Sequence, residues 1–423
     1  MNKLHPSRAL GILAVSASLL LAACGGGGGG GTGGDLTPAT NAPIRPTTPL
    51  GSSFQYEGIC DLETQKKFTR SYLDEVYFWY NEIVDVDRAG FTNIPDYFDA
   101  LLVRTPDVNG VPKDRFSAVL PQDQVRNVLQ AAAAPLSLDP RLLADHTNFV
   151  PVTKVVTSPG GRRAGYIQFN DHDLGAQDDL IASFRQLQTA GVQDLVLDLR
   201  FNSGGFLYIA NTAASMVTGP SAEGKVFERL QFNDKRPDET ASSTFLFSSR
   251  VQVADVTAAG VNQNPVGTPL PQLNLPRVFI LTSGRTCSAS ESVINSLRGI
   301  DVQVIRIGDT TCGKPYGFRQ KNNCGLAFFP IEFKGTNAKG FGDYTTGIVP
   351  TCRVADNAAV AADDPVNDPL FSGALTFMDT GACPAGTATG ITVQQGAQPR
   401  LNPAVQPTRP SWAGRVLLPS QQR

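Results

Sequence analysis

Only three histidines stand in the chain, His5, His146 and His172, and no cysteine lies at metal-ligand spacing from another or from a histidine. A zinc site needs three or four such ligands at short, regular spacing. The sequence therefore argues against a zinc site. Charge is scarce too, at 17% of residues, against about a quarter in an ordinary globular domain. The 36 Lys+Arg and 38 Asp+Glu nearly cancel, to a net −2. That balance excludes a broad basic footprint for nucleic acid. Long apolar runs are absent as well. Ala9 to Leu21 is the one candidate, and it falls short of the roughly 20 residues of a membrane-spanning helix. What is plentiful is glycine (41), proline (30) and hydrophobic residues (41%) over 423 positions. Such a chain fills one large domain or two ordinary ones with ample core.

The first residues read as an address. Lys3 and Arg8 precede the apolar run, the layout of a secretory signal. The run ends Leu21-Ala22-Ala23-Cys24 and passes straight into Gly25 to Gly31. This resembles the lipobox of bacterial lipoproteins, in which cleavage falls before the cysteine and its thiol is lipidated. The alternative is an ordinary signal peptide with a chance cysteine. A polyglycine run makes a flexible tether. The resemblance implies export and membrane attachment through Cys24. With Gly25 rather than Asp next to it, the expected site is the outer membrane, facing the periplasm or the cell surface. Exported proteins keep disulfides. Six cysteines remain, and fifteen pairings are open. Local loops favour Cys312 with Cys324 and Cys352 with Cys383, leaving Cys60 with Cys287.

Composition and periodicity divide the rest. Residues 1–23 form the signal segment and 24–55 a Gly/Pro-rich linker. Residues 56–135 form a small helical subdomain, in which Leu62 to Ile83 is amphipathic, with Phe68, Tyr72, Val76 and Tyr80 four apart and Asp61 as N-cap. A second helix is expected over Pro95 to Val103. A short connector spans 136–160. From 161 to 383 strands alternate with helices. Strands are expected at 165–169, 194–199, 225–232, 277–282, 302–307 and 327–333, with helices at 176–190, 207–217 and 288–297. That alternation indicates an α/β core with a buried sheet. Residues 384–423, rich in Gly, Pro, Gln and Thr, read as a disordered tail.

Three segments put reactive or glycine-rich atoms at strand ends. In Asp198-Leu199-Arg200-Phe201-Asn202-Ser203-Gly204-Gly205 a buried strand runs into paired glycines. Its backbone N–H groups can hold an anion or form an oxyanion hole, although the phosphate-loop spacings are missing. In Thr286-Cys287-Ser288-Ala289-Ser290-Glu291 a serine opens a helix. Two readings stand for it: a capping box of Ser288 with Glu291, or a nucleophile exposed at the helix N-terminus. In Gly308-Asp309-Thr310-Thr311-Cys312-Gly313-Lys314-Pro315 a lysine sits in a tight turn. Either it is a surface lysine, or it is buried beside the serine and acts as a base once burial has cost it its proton.

The three segments, in this order, resemble the C-terminal-processing (tail-specific) serine peptidases. The pieces Tyr72-Leu73-Asp74-Glu75-Val76-Tyr77-Phe78-Trp79-Tyr80 and Lys113-Asp114-Arg115-Phe116-Ser117 are similar to the same family. The resemblance implies a ClpP/crotonase-like α/β catalytic core behind a small N-terminal helical subdomain. It implies Ser288 as nucleophile and Lys314 as general base, with an oxyanion hole from the backbone of Ala289 and of Gly204 or Gly205. Its substrate would be a polypeptide and it would need no cofactor. Phe318 occupies the position, four after the lysine, where family members often carry a polar residue. Gln320, Asp301 and Asp309 are the remaining candidates to orient Lys314, and His172 could line the cleft or simply pack. Fewer than about fifty residues separate Phe116 from Arg163, too few for the family's PDZ domain, which captures free C-termini. A PDZ-less peptidase is expected. The rival is a catalytically silent binding protein on the same core. A small-molecule hydrolase of the Ser-x-x-Lys type is disfavoured, because the third residue after Ser288 is Glu291. If Cys287 paired with Cys312 instead, the nucleophile and base turns would be tied together.

Overall fold

The computed structural model describes residues 49–123, 149–255, 263–386 and 388–389. The signal segment, Cys24, the polyglycine run and nearly all of the tail lie outside them, as do residues 124–135 of the expected helical subdomain and 136–148 of the expected connector.

The chain begins with α1 (Leu62–Val76), α2 (Ile94–Ala100) and β1 (Ala118–Pro121). Asp61 caps α1, its carboxylate accepting the Thr64 N–H at 2.9 Å. The expected helix to Ile83 stops at Val76 because tertiary partners capture the backbone. Tyr77 turns extended and its hydroxyl donates to Asp114 at 2.7 Å. The Phe78 N–H donates to the Ile331 carbonyl at 2.8 Å.

The α/β core follows as β2 (Val152–Thr157), β3 (Arg163–Gln168), α3 (Ala176–Ala190), β4 (Asp194–Asp198), α4 (Leu207–Val217), β5 (Val226–Phe232), α5 (Pro237–Ser242) and β6 (Thr244–Leu246). Next come β7 (Arg277–Thr282), α6 (Ala289–Gly299), β8 (Gln303–Gly308), β9 (Tyr316–Gly317), β10 (Lys321–Asn323), β11 (Leu326–Phe329) and β12 (Phe333–Thr336). The chain closes with β13 (Cys352–Arg353), α7 (Pro369–Thr380) and β14 (Ala388–Thr389).

The main sheet has the order β14-β13-β8-β7-β4-β3-β2. Its centre, β13-β8-β7-β4-β3, is parallel and both edge strands run antiparallel. Strand side chains alternate between two cores. Val278 and Ile280 face α3, α4 and α6, while Phe279 and Leu281 face α7. The expected strand 327–333 divides at Pro330, which has no N–H for a ladder. β11 then joins β1 and β10, and β12 joins β5 and β9. Among the described residues no helix is long and apolar enough to cross a membrane.

The disulfides are Cys60–Cys324, Cys287–Cys312 and Cys352–Cys383. The expected Cys312–Cys324 and Cys60–Cys287 pairs are therefore corrected. Closeness in sequence is the wrong guide here. Cys287 follows β7 and Cys312 follows β8, and these are neighbouring parallel strands whose C-terminal ends lie side by side.

Candidate functional site

The loops after β3, β4, β7 and β8 all leave the carboxyl ends of adjacent parallel strands, where open α/β sheets carry their sites. They bring His172, Gly204-Gly205, Ser288 and Lys314 to one edge of the sheet. All four positions are buried.

Ser288 is held at φ 57°, ψ −110°, a conformation that is rare and costly for a residue with a side chain. Ser288 and Glu291 take up capping-box positions. The Glu291 carboxylate accepts the Ser288 N–H at 2.8 Å, while the Ser288 hydroxyl oxygen makes no hydrogen bond. The side chain thus stays available although the backbone is fixed. Among the described residues, Ala289 N–H donates to no other group.

The glycine turn presses on the serine from the β4 side. A Cβ on Gly204 (φ +100°) would stand 2.8 Å from the Cys287 carbonyl oxygen and 2.9 Å from Ser288 Cβ. Only a bare backbone fits so close. Gly204 N–H donates to Asn202 Oδ1 at 3.0 Å, so it is already engaged. Gly205 N–H donates to no other described residue.

Asn202 joins three of the loops. Its Nδ2 donates to the Phe169 carbonyl at 3.0 Å. Its own carbonyl accepts from Cys287 N–H at 3.1 Å and from the Ser290 hydroxyl at 3.0 Å. His172 Nδ1 lies 2.9 Å from Asn202 Oδ1. Because Oδ1 only accepts, Nδ1 carries the proton. His172 therefore packs into the glycine turn through a local hydrogen bond.

Lys314 is reached across Glu291. The two oxygens of that fully buried carboxylate accept Ser288 N–H, Gly313 N–H and Lys314 N–H at 2.8 Å each, and the Thr311 hydroxyl at 2.5 Å. Burial pushes the Glu291 carboxyl above its usual range, and the donors from Thr311, Lys314, Ser288 and Gly313 pull against it. One carboxylate thus clamps the serine turn to the lysine turn, and the Cys287–Cys312 bond does so covalently with Cα atoms 5.2 Å apart. The sequence shows Glu291 only as a cap; its reach to residues 311–314 comes from strand order. Phe116 and Phe318 enclose the Lys314 amine, with ring centroids 5.0 and 4.7 Å from Nζ.

The three candidates to orient Lys314 lie elsewhere. Gln320 is exposed and donates to Asn322. Asp301 is exposed and pairs with Lys339, and Asp309 is exposed and pairs with Arg353. The side chain of each is exposed to solvent, so sequence proximity to the lysine does not become contact. Among the described residues the one metal-like cluster is Cys287, Glu291 and Cys312. Its two sulfurs are bonded to each other and offer no thiolate.

Behind the glycine turn, Arg200 is buried in a cage of acids. It donates to Asp198 at 3.0 Å, to Asp368 at 2.7 and 3.0 Å, and to Asp356 at 2.9 Å. Burial alone would lower its pKa, but Asp198, Asp368 and Asp356 overcome this and hold the guanidinium above its ordinary value. The Asp-Leu-Arg part of the first motif is thus the floor that fixes the turn.

Residues 163–322 match the sequence family described as peptidase family S41, and residues 64–118 match the peptidase S41 N-terminal domain. Together these matches take in half of the chain and include all the residues above from His172 to Lys314. A carboxyl-terminal-processing protease of Picosynechococcus sp. is 27% identical over 164 residues, which are 39% of this chain and 32% of that protein. The match therefore spans about a third of that relative's length. A candidate S41 protease from Bacteroides fragilis shares the fold with a TM-score of 0.55 at 19% identity, over 74% of this chain and 97% of that one.

Proposed function

Since the chain belongs to peptidase family S41, we propose that it is a serine endopeptidase that cuts polypeptides with Ser288 as nucleophile and Lys314 as general base. One observation carries this reading. Ser288 is buried in a strained backbone with an unbonded hydroxyl oxygen, and Glu291 and a disulfide lock its turn to that of a wholly buried lysine.

In this scheme Ser288 Oγ attacks the scissile carbonyl carbon and Lys314 Nζ takes the hydroxyl proton. The oxyanion forms against Ala289 N–H and Gly205 N–H. Collapse expels the amine, which receives the proton from Lys314. Water then attacks the acyl-enzyme, giving its proton to Lys314, and the ester bond to Ser288 breaks as Lys314 returns that proton to Ser288 Oγ. Gly204, whose N–H already serves Asn202, supports the hole by its shape. The full chain incubated with casein should yield fragments detectable by mass spectrometry, and Ser288→Ala and Lys314→Ala should each abolish them. Cleavage that survives either change would refute the dyad. A folded but inactive parent would favour the silent binding protein, for which the apolar Phe318 beside Lys314 is the supporting observation.

The same proposal places the enzyme outside the cytoplasm, lipid-anchored at Cys24 and acting on periplasmic or surface polypeptides. The Leu21-Ala22-Ala23-Cys24 run and three disulfides support it, because disulfides persist in oxidising compartments.

A further inference from the structure

We infer that Arg115, supplied by the N-terminal segment, is a positioning residue for Lys314 that holds its turn and keeps its amine neutral. The inference rests on the Ser288–Lys314 reading above.

The geometry has two parts. One Nη of Arg115 donates to the Gly313 carbonyl at 3.1 Å and to the Thr345 carbonyl at 3.0 Å. Gly313 is the residue before the lysine, so the guanidinium grips the peptide that carries Lys314. The next residue, Phe116, presents one ring to both side chains. Arg115 Cζ lies 4.9 Å and Lys314 Nζ 5.0 Å from its centroid. Two groups that close to one point are within about 10 Å of each other.

Arginine stays protonated at every ordinary pH, so a permanent positive charge stands within about 10 Å of the amine. In a poorly solvated site a like charge at this range disfavours the ammonium by about one pH unit. Other charged and titratable groups face the pair. Glu291 accepts the Lys314 N–H and attracts Arg115, as does Asp107. Tyr316 also acts on Arg115, and burial raises its pKa so that it stays neutral. Burial lowers the pKa of Arg115 itself, and Glu291 and Asp107 oppose that. Glu291 is thus a negative group on the same turn that favours the charged lysine, and Arg115 opposes it. In this arrangement the N-terminal segment completes the active site.

The test uses the rate at which a fluorophosphonate labels Ser288 in the full chain between about pH 6 and 10. The parent rate should rise with pH to a plateau, and Lys314→Ala should remove that rise. Arg115→Met and Arg115→Gln should move the midpoint up by about one unit and slow labelling about tenfold below it, with the plateau kept. Arg115→Lys, which retains the charge, should keep the parent midpoint. A midpoint unchanged in the Met and Gln variants would reduce Arg115 to a structural residue and overturn the inference. Should thermal melts show the Met variant unfolded, the Gln-against-Lys comparison decides. A parent that takes no label at Ser288, or a Lys314→Ala chain labelled like the parent, refutes the underlying dyad and the inference with it.

Discussion

Two glycines in left-handed backbone separate what a residue does for the chain from what it does for the site. Gly191 (φ +62°) ends α3 with open space around it, whereas a Cβ on Gly205 (φ +136°) would meet the His172 carbonyl oxygen at 2.3 Å. That carbonyl is fixed, since it accepts the Phe206 N–H at 2.7 Å. Gly191→Ala should cost about 1 kcal/mol of stability and leave activity within twofold. Gly205→Ala should cost about 2–3 kcal/mol and lower kcat at least about a hundredfold, because its N–H would swing away from the oxyanion. Denaturant melts beside casein assays check both, and equal activities in the two variants would contradict the assigned oxyanion donor. Ser288, Lys314 and the paired glycines were legible in the sequence because each stands in a short motif at a strand end. Gln320, Asp301 and Asp309 were not decided there. Whether a polar residue near a lysine in sequence turns toward it depends on backbone direction, which the motif does not encode.

Among elements, the lengths written by periodicity match the structure where one core receives the element. Ala176–Ala190 and Leu207–Val217 fall where the apolar spacing puts them, both in the core on one side of the sheet. α1 is shortened by bonds that Tyr77 and Phe78 donate to Asp114 and Ile331, partners distant in sequence. The Cys287–Cys312 bond belongs to this scale too. It closes a separation of 25 residues, worth about 3.5 kcal/mol in the chain-entropy view, and it joins the loops after β7 and β8. Reduction by dithiothreitol, or the double change Cys287→Ala/Cys312→Ala, should lower kcat more than tenfold while KM moves little. The double change Cys352→Ala/Cys383→Ala, at the β13 end of the sheet, should spare kcat. Activity unaffected by the reductant would mean that Glu291 alone keeps the two turns in register.

Over the whole molecule the N-terminal segment and the peptidase core share their interior. Phe68 and Tyr72 of α1 pack against Phe328, β1 pairs with β11, and Cys60 is bonded to Cys324. Arg115 and Phe116 reach the lysine from that segment. The proposed anchor acts at this scale as well. Cells given an alkynyl palmitate should label the chain, Cys24→Ser should abolish the label and release the protein from the membrane fraction, and a labelled Cys24→Ser chain would disprove attachment there. The sequence by itself determined the alternation of strands and helices, the order of the three motifs and the position of the serine and lysine at strand ends, since side-chain periodicity and residue type are local properties. The tertiary structure decided the pairing of the cysteines, the role of Glu291 as a clamp and the approach of Arg115 to the lysine. Those depend on which strands lie side by side, and neighbours across a parallel sheet can be far apart in the chain.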